Sequence, residues 1–314
     1  MAEIKTVATR QSYGEALVEL GKAHDNVYVL DADLAAATKT DIFKKAYPER
    51  HIDCGIQESN MIGVAAGLAS TGKVPYASSF AMFATGRAYE QVRNSVGYPH
   101  LNVKIGATHA GISVGEDGAS HQCIEDIALM RSIPGMIVIN PADDTEAKAA
   151  VFAAYEHEGP VYMRFGRLAV PVINDPETYK FEIGKGIVLK EGKDLSLIAT
   201  GLEVSESLKA AEMLEADGVS VEVINIHTIK PIDKDLILKT AKKTGKVVTV
   251  EEHSVIGGLG SAVAEVLSEE CPTKMKRIGV YDTFGESGPA KELLHKYELD
   301  AEGIYKQVKA FLAS

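Results

Sequence analysis

The feature that most constrains the fold is the regular alternation of short apolar runs with helical patterns. The apolar runs before residue 170 are short and bounded by turn residues, which is typical of buried strands. They read VYVLDAD, HIDCGI, KVPYASS, NVKIGAT, MIVINPA and PVYMRFG. Because helical patterns separate these runs, the sequence predicts a mainly parallel sheet with helices packed on it.

A second set of strands follows a break in the pattern. The segment VPVINDPETYKFEIGKG carries the Pro, Asn-Asp and Gly residues that are typical of a connection between domains. After it come DLSLIATG, VSVEVINIH, KVVTVEEH and KRIGVYD, with helical SESLKAAEMLEADG and GSAVAEVLSEE between them. We therefore predict an α/β protein of two three-layer α/β/α domains with mainly parallel sheets. The expected bounds are 1–172 and 191–314, with a linker at 173–190.

Charge and cysteine content exclude several classes of function. The formal net charge is −11 and the Lys and Arg residues are scattered, so no basic surface for DNA or RNA is expected. The longest apolar run, near residues 61–69, is too short to cross a bilayer. Three widely spaced cysteines without CxxC spacing indicate a reducing compartment. We expect a cytoplasmic protein that binds neither nucleic acid nor membranes.

A single carboxylate, Glu58, stands where the predicted strand 51–56 gives way to an apolar helix. It could simply complement the helix dipole from the first turn. It could also be desolvated by Ile56, Met61 and Ile62, which would let the carboxyl group exchange protons near neutral pH. Both interpretations stay open from the residues alone.

The second candidate segment is ATHAGISVGEDGASHQCIEDIA at 107–128, which runs from the end of a strand through a glycine-rich loop into a helix predicted to start near Gln122. Its residues His109, His121 and Asp117 could relay protons or hydrogen-bond sugar hydroxyls. A metal site built from the same residues is a competing hypothesis, but their spacing matches no tight site. A solvated turn with incidental histidines is the other alternative.

The quoted segments together resemble the C-terminal half of transketolase. The motifs are ATRQSYGEAL, GIQESNM, SSFAMFATGRAYEQVR, TH followed by GEDGASHQ, PADDTEAK, VYMRFGR and DTFGESGPAKELL. They occur in the family's order and span essentially the whole chain. The resemblance implies a pyrimidine-binding domain followed by the transketolase C-terminal domain.

The resemblance gives Glu58 a catalytic role. In transketolases the matching glutamate hydrogen-bonds the aminopyrimidine ring of thiamine diphosphate and promotes its imino tautomer. Phe80 and Phe83 match the aromatic residues that flank this ring, although from the residues alone they favour a core helix face. Asp33 matches a position near the thiazolium ring. Gly86 stands where some transketolases have a third aromatic residue, which departs from the family pattern.

The resemblance also implies substrate-binding residues. His109 matches a histidine near the sugar phosphate, Asp117 matches a residue that hydrogen-bonds the C2 hydroxyl, and His121 matches one near the reacting carbon. His109 and His121 are thus catalytic candidates together with Glu58.

Two arginines, Arg10 and Arg164, are matched to the residues that hold the substrate phosphate. Guanidinium groups suit that task because they bind phosphate oxygens bidentately. A surface salt bridge is the alternative for either one. A serine that joins those arginines in other transketolases aligns with Ala37, so Thr38 or a neighbouring group would have to replace its hydroxyl.

One family element is missing from the sequence. Full-length transketolases carry a G-D-G motif followed by an Asn, which bind the metal and the diphosphate, and this chain has no such run. The resemblance therefore implies a separate N-terminal transketolase subunit that holds Mg²⁺ or Ca²⁺, with no metal ligand expected in this chain. A heterotetramer of two chains of each kind is expected.

The implied reaction is reversible transfer of a two-carbon ketol unit from xylulose 5-phosphate to an aldose phosphate, in the pentose phosphate pathway. A 1-deoxyxylulose-5-phosphate synthase is the nearest alternative, but it has GADG and an arginine where this chain has GEDG and His109. A pyruvate dehydrogenase beta subunit is a more distant one. A non-catalytic assembly subunit is the alternative from another class, and the presence of Glu58 and both histidines argues against it.

Overall fold

The structure is a computed structural model that describes residues 5–314, so the first four residues of the predicted domain 1–172 lie outside the described residues. The strands are β1 (Thr6–Ala8), β2 (Val27–Asp31), β3 (His51–Asp53), β4 (Val74–Phe80), β5 (Lys104–Thr108), β6 (Ile137–Ile139), β7 (Val161–Arg164), β8 (Ala169–Pro171), β9 (Ile187–Lys190), β10 (Leu195–Ala199), β11 (Val221–Asn225), β12 (Thr228–Lys230), β13 (Lys246–Ser254) and β14 (Lys274–Val280).

The α-helices are α1 (Thr9–Ala23), α2 (Ala35–Thr38), α3 (Thr40–Ala46), α4 (Glu58–Ser70), α5 (Tyr89–Gln91), α6 (Asp126–Arg131), α7 (Asp144–Glu156), α8 (Glu203–Ala216), α9 (Lys234–Thr244), α10 (Leu259–Glu270), α11 (Ala290–Lys296) and α12 (Ala301–Ala313). Wider π-helical turns occupy Met82–Arg87 and Val92–Gly97.

The first sheet has seven strands in the order β12-β6-β7-β5-β4-β2-β3. Strands β2 to β7 run parallel to their neighbours, and only the edge strand β12 is antiparallel. Since parallel strands end at the same edge of a sheet, the segments that follow β2, β3, β4 and β5 are brought close together. This edge carries the candidate site.

The second sheet has five strands in the order β14-β13-β10-β11-β9, and only β9 is antiparallel. The predicted class of two α/β units with mainly parallel sheets is confirmed. The predicted linker, 173–190, is not free of regular structure, because β9 is part of it and pairs with β11. Strand β12 comes from the second half of the chain but pairs with β6 and so extends the first sheet.

Apolar packing also joins the two halves of the molecule. One buried cluster contains Met130 of α6 together with Leu259 and Val263 of α10. Burial of each such side chain stabilises the fold by about 1.5–3 kcal/mol, so the two sheets are held by a shared core and not by a flexible tether alone. None of the helices within residues 5–314 has both the length and the apolar character needed to cross a membrane.

Candidate active site

The carboxyl edge of the first sheet brings together segments that are far apart in sequence. Strand β3 leads to Glu58 at the start of α4, β4 ends at Phe80, and β5 leads to His109. Strands β4 and β5 are neighbours, and β2 lies between β3 and β4. The topology thus assembles one surface from three segments that follow neighbouring strands.

Glu58 is the first residue of α4, and only 1% of it is exposed. Its Oε2 accepts a hydrogen bond from Nη1 of Arg87 at 2.8 Å. The Arg87 guanidinium lies 4.4 Å from the ring centre of Phe83. A carboxylate removed from water is costly unless it is paired, so this position does more than complement a helix dipole at the surface.

Aromatic rings form a wall beside Glu58. The rings of Phe80 and Phe83 are stacked with centroids 5.7 Å apart. His109 stacks on Phe80 at 3.8 Å, and His121 lies 5.2 Å from Phe83 with the two rings inclined at 72°. Phe80 is buried, whereas Phe83 is partly exposed, so these rings are not simply a core helix face. The structure therefore brings the predicted phenylalanines and histidines into one group.

The neighbours of His109 select one protonation state and one tautomer of its imidazole ring. Nη1 of Arg10 lies 3.1 Å from its Nε2, and its Nδ1 lies 2.9 Å from Oγ1 of Thr108. Because arginine only donates, Nε2 must accept, which places the proton of the neutral ring on Nδ1. Burial, reinforced by the positive charges of Arg10 and Arg167, lowers the pKa of His109 to about 3. The ring is therefore neutral in the physiological range.

The predicted role of Arg164 in phosphate binding disagrees with its position in the structure. Its side chain is 4% exposed; Nε donates to Oδ2 of Asp126 at 2.8 Å, and Nη2 donates to the carbonyl oxygens of Cys123 and Glu252 at 3.3 Å and 2.9 Å. A guanidinium with these donors in use inside the protein does not offer a fork to a substrate phosphate. The predicted phosphate-binding role of Arg164 is therefore not supported, and its contacts are those of a buried structural group.

Arg167, three positions further along the chain, has the accessibility that Arg164 lacks. It is partly exposed, and with Arg10 it lines an open depression of about 560 Å³. Its charge lowers the pKa of both Arg10 and His109, in each case after burial as the larger cause. The segment VYMRFGR contains both arginines, but Arg164 ends the buried strand β7 whereas Arg167 lies beyond its carboxyl end. That difference in position was the available signal.

The remaining predicted residues lie at the surface of this region. Asp117 is exposed on the turn in which the amide of Gly118 donates to the carbonyl of Gly115. Asp33 is also exposed, with φ of 60°, and its amide donates to Oδ1 of Asp53 at 3.1 Å. Neither carboxylate is tied to the aromatic wall by the contacts of the described residues.

Two departures from the family pattern have structural answers. The carbonyl oxygen of Ala37 accepts from Nη1 of Arg10 at 2.8 Å, so the backbone takes part in holding this arginine. Thr38 is fully buried and its hydroxyl bonds to the carbonyl of Leu34, so it does not replace a substrate-facing serine hydroxyl. At Gly86, a Cβ atom would lie 2.1 Å from Cε of Met82, so the methionine fills that space.

Two family models match consecutive parts of the chain. The transketolase pyrimidine-binding domain matches residues 5–172, and the transketolase C-terminal domain matches residues 184–304. The class is therefore that of a pyrimidine-binding domain followed by a C-terminal domain of the type found in thiamine diphosphate enzymes.

Similar proteins make the assignment more specific. The chain is 55% identical over 301 residues to a protein of Methanocaldococcus jannaschii described as a transketolase C-terminal section, covering 95% of this chain and 94% of the relative. It is 46% identical over 297 residues to a 6-deoxy-6-sulfo-D-fructose transketolase subunit of Clostridium sp., covering 95% and 92%. A solved split-gene transketolase, an inactive β4 tetramer, superposes with a TM-score of 0.91 at 54% identity over 98% of this chain and 99% of that one.

The chain belongs to the transketolase family and is a C-terminal section of the split type. The sequence-based recognition of this family is thus confirmed. The family depends on thiamine diphosphate, and the residues at this edge fit its ring. Glu58 offers a buried carboxylate, and Arg87, which donates to it, lies over the ring of Phe83, which in turn stacks with Phe80.

Proposed function

We propose that this chain is the C-terminal subunit of a transketolase that moves a two-carbon ketol unit from xylulose 5-phosphate to an aldose phosphate. The observation that carries the proposal is the buried carboxylate of Glu58 beside the aromatic wall at the carboxyl edge of the first sheet. A proton-exchanging acid and an aromatic platform are what an aminopyrimidine ring requires from its protein.

Glu58, Phe80 and Phe83 would hold the aminopyrimidine of thiamine diphosphate, with Asp33 nearer to the thiazolium. When bound, the cofactor supplies the electron sink that allows a carbon–carbon bond next to a carbonyl to break. Glu58 would share a proton with the ring nitrogen, and burial keeps water from competing for that proton. Arg87, which already donates to Glu58, would keep the carboxylate turned toward the ring.

His109 and His121 would contact the sugar. Because His109 is neutral and its Nε2 accepts from Arg10, it would polarise hydroxyls by hydrogen bonding and not by carrying positive charge. His121, which packs against the Phe83 ring, would contact the hydroxyls near the reacting carbon, and Asp117 would bond the C2 hydroxyl from the exposed turn. Arg10 and Arg167 would bind the distal phosphate in the depression they line.

We also propose that activity requires a second subunit, which holds the diphosphate and a Mg²⁺ or Ca²⁺ ion. The structurally similar split-gene protein is described as inactive as a β4 tetramer, which supports a need for the other half in that protein. Two chains of each kind would form the active heterotetramer. The cytoplasm, where sugar phosphates are interconverted, is the proposed location.

The test asks whether the donor sugar carries a phosphate or a sulfonate as its terminal anionic group. A relative is a subunit of a transketolase acting on 6-deoxy-6-sulfo-D-fructose, and a sulfonate would also suit a pair of guanidinium groups. The chain should be co-expressed with a transketolase N-terminal subunit from the same organism and assayed with ribose 5-phosphate as acceptor. We expect a higher kcat/KM with xylulose 5-phosphate than with the sulfosugar. A higher kcat/KM with the sulfosugar would make the sulfosugar the preferred donor and overturn the proposed substrate. No transfer with either donor would favour a non-catalytic assembly role.

A further inference from the structure

The segment between β5 and α6, residues 109–125, carries both site histidines and has little regular structure of its own. We call it the histidine loop. Apart from the short turn Ile112–Val114 it makes no helix or strand, and four of its residues have positive φ angles: His109, Gly111, Gly115 and Gly118. A loop of this kind needs partners outside itself to hold one conformation.

Its two ends are first tied to each other. The amide of Gly111 donates to the carbonyl of Cys123 at 2.8 Å. His109 and His121 each stand two residues before one of these tied positions. A displacement of the tie would therefore move both imidazoles relative to the phenylalanine rings.

The partners that fix this tie come from the second sheet. The amide of Ser254, at the end of β13, donates to the carbonyl of Ile124 at 2.8 Å. The carboxylate of Glu252, also on β13, accepts a hydrogen bond from the amide of Ser113. Arg164 joins the two sides, since its Nη2 reaches the carbonyls of both Cys123 and Glu252.

The fit between Glu252 and the loop is close. A Cβ atom at Gly111 would lie 2.3 Å from the carboxyl carbon of Glu252, and Gly111 has φ of 81°, so glycine is required there on two counts. Glu252 itself is 4% exposed. Burying a carboxylate costs more than burying an apolar side chain of the same size, which indicates that its acceptor oxygen serves a specific contact.

We propose that Glu252 is a positioning residue through which the C-terminal domain fixes the histidine loop and so aligns His109 and His121 with the sugar. This inference rests on the proposed function, since the loop is taken to bind the ketose. It assigns the second domain a task in the reaction, although none of the residues proposed to touch cofactor or substrate lies in that domain.

The neighbouring residue Glu251 provides a matched control. It lies on the same strand and is fully buried, but its carboxylate accepts from the amides of Leu259 and Gly260 at 2.6 Å and 2.7 Å, inside the second domain. Glu251→Ala removes a buried carboxylate of the same kind without touching the histidine loop. Effects of general destabilisation should therefore be common to both positions.

The test compares Glu252→Ala, Glu252→Asp, Glu252→Gln and Glu251→Ala in the full complex with the diphosphate-binding subunit. Amide hydrogen exchange of residues 109–123 reports on the loop, and kcat/KM for the ketose reports on alignment. Exchange of the cofactor's C2 hydrogen reports on Glu58, which the loop tie does not contact. Glu252→Asp keeps the carboxylate but shortens the side chain by one methylene. It therefore tests whether the carboxylate must reach the amide of Ser113, even if the alanine variant folds poorly.

We expect Glu252→Ala and Glu252→Asp to accelerate loop exchange and lower kcat/KM by about tenfold or more, with C2 exchange changed by less than about twofold. Glu252→Gln should stay near the parent protein because its amide oxygen can still accept from Ser113. Equal loop exchange in the Glu252 and Glu251 alanine variants would overturn the proposal. If the parent complex shows no ketol transfer, the proposed function fails while loop exchange still decides whether Glu252 orders the loop.

Discussion

Nη1 of Arg10 donates a hydrogen bond to Nε2 of His109 across 3.1 Å. The contact joins the first helix to the loop after β5, residues separated by most of a domain in sequence. It also fixes the chemistry of the histidine, because a guanidinium next to an imidazole disfavours protonation of the ring. His109 therefore serves the site as a neutral group.

This relationship predicts an acid-dependent loss of stability. The pKa of His109 is about 3 in the folded protein, below the unfolded value near 6.5, so between these values only the unfolded chain binds the proton. The contribution of His109 to the free energy of unfolding is complete above pH 6.5 and is lost as the pH falls toward 3. At pH 5 the loss should be about 2 kcal/mol.

The check is urea unfolding of the parent protein and of His109→Gln at pH 7 and pH 5. Glutamine does not titrate, so the variant should lose less stability on acidification. His227 and His253, whose pKa values are lowered by burial to about 4, act in the same direction in both proteins and cancel in the comparison. Identical pH slopes for the two proteins would contradict the assignment.

Arg167 is predicted to be the second phosphate ligand. Arg167→Ala should raise KM for phosphorylated ketoses by about tenfold or more, and change KM for unphosphorylated hydroxypyruvate much less. Arg93 provides the control substitution Arg93→Ala, because it is exposed and, among residues 5–314, its side chain hydrogen-bonds to Asn94 alone. An equal rise of KM for both donors would point to a structural role for Arg167 instead.

Arg164 should behave in the opposite way. Its removal leaves Asp126 buried without its ion-pair partner, so Arg164→Ala should lower the free energy of unfolding by about 3–5 kcal/mol. The shift of the urea midpoint measures this. A stable Arg164→Ala protein with a selective defect for phosphorylated substrates would restore the original sequence-based assignment.

Much of the fold was predictable from the sequence because its strands are buried and apolar. Strand β4, buried along its whole length, stands out from the helices around it, and Glu58 was placed at a helix start by the change of pattern alone. What pattern could not supply was the choice between Arg164 and Arg167. They are three positions apart, and only the end of β7 decides which side chain is buried and which reaches the depression.

Other features depended on contacts between distant segments. The sequence predicts that the histidine loop leads into a helix near Gln122, but α6 begins at Asp126, because the carbonyls of Cys123 and Ile124 accept from the amides of Gly111 and Ser254 and not from helix amides. The extension of the first sheet by β12 was also not predictable from the sequence, since an edge pairing between the two halves of the chain leaves no local periodicity. Such features follow from tertiary structure and not from spacing.

The dependence on a second subunit gives a binding prediction. Thiamine diphosphate with Mg²⁺ should leave the melting temperature of the isolated chain unchanged, because the groups that hold the diphosphate are proposed to lie in the other subunit. With that subunit present, ligand at about a hundred times its Kd should stabilise the complex by about 2.7 kcal/mol. Inorganic diphosphate serves as the control ligand. Tight, magnesium-dependent binding to the chain alone would contradict the split arrangement.

The central claim is that Glu58 exchanges a proton with the cofactor ring, and exchange of the cofactor's C2 hydrogen for deuterium tests it most directly. Measured by NMR in the assembled complex, Glu58→Gln should slow this exchange by about a hundredfold or more. Ser59→Ala, one residue further along the same helix, should leave it within about twofold of the parent rate. Exchange at the parent rate in a folded, cofactor-loaded Glu58→Gln complex would contradict the account.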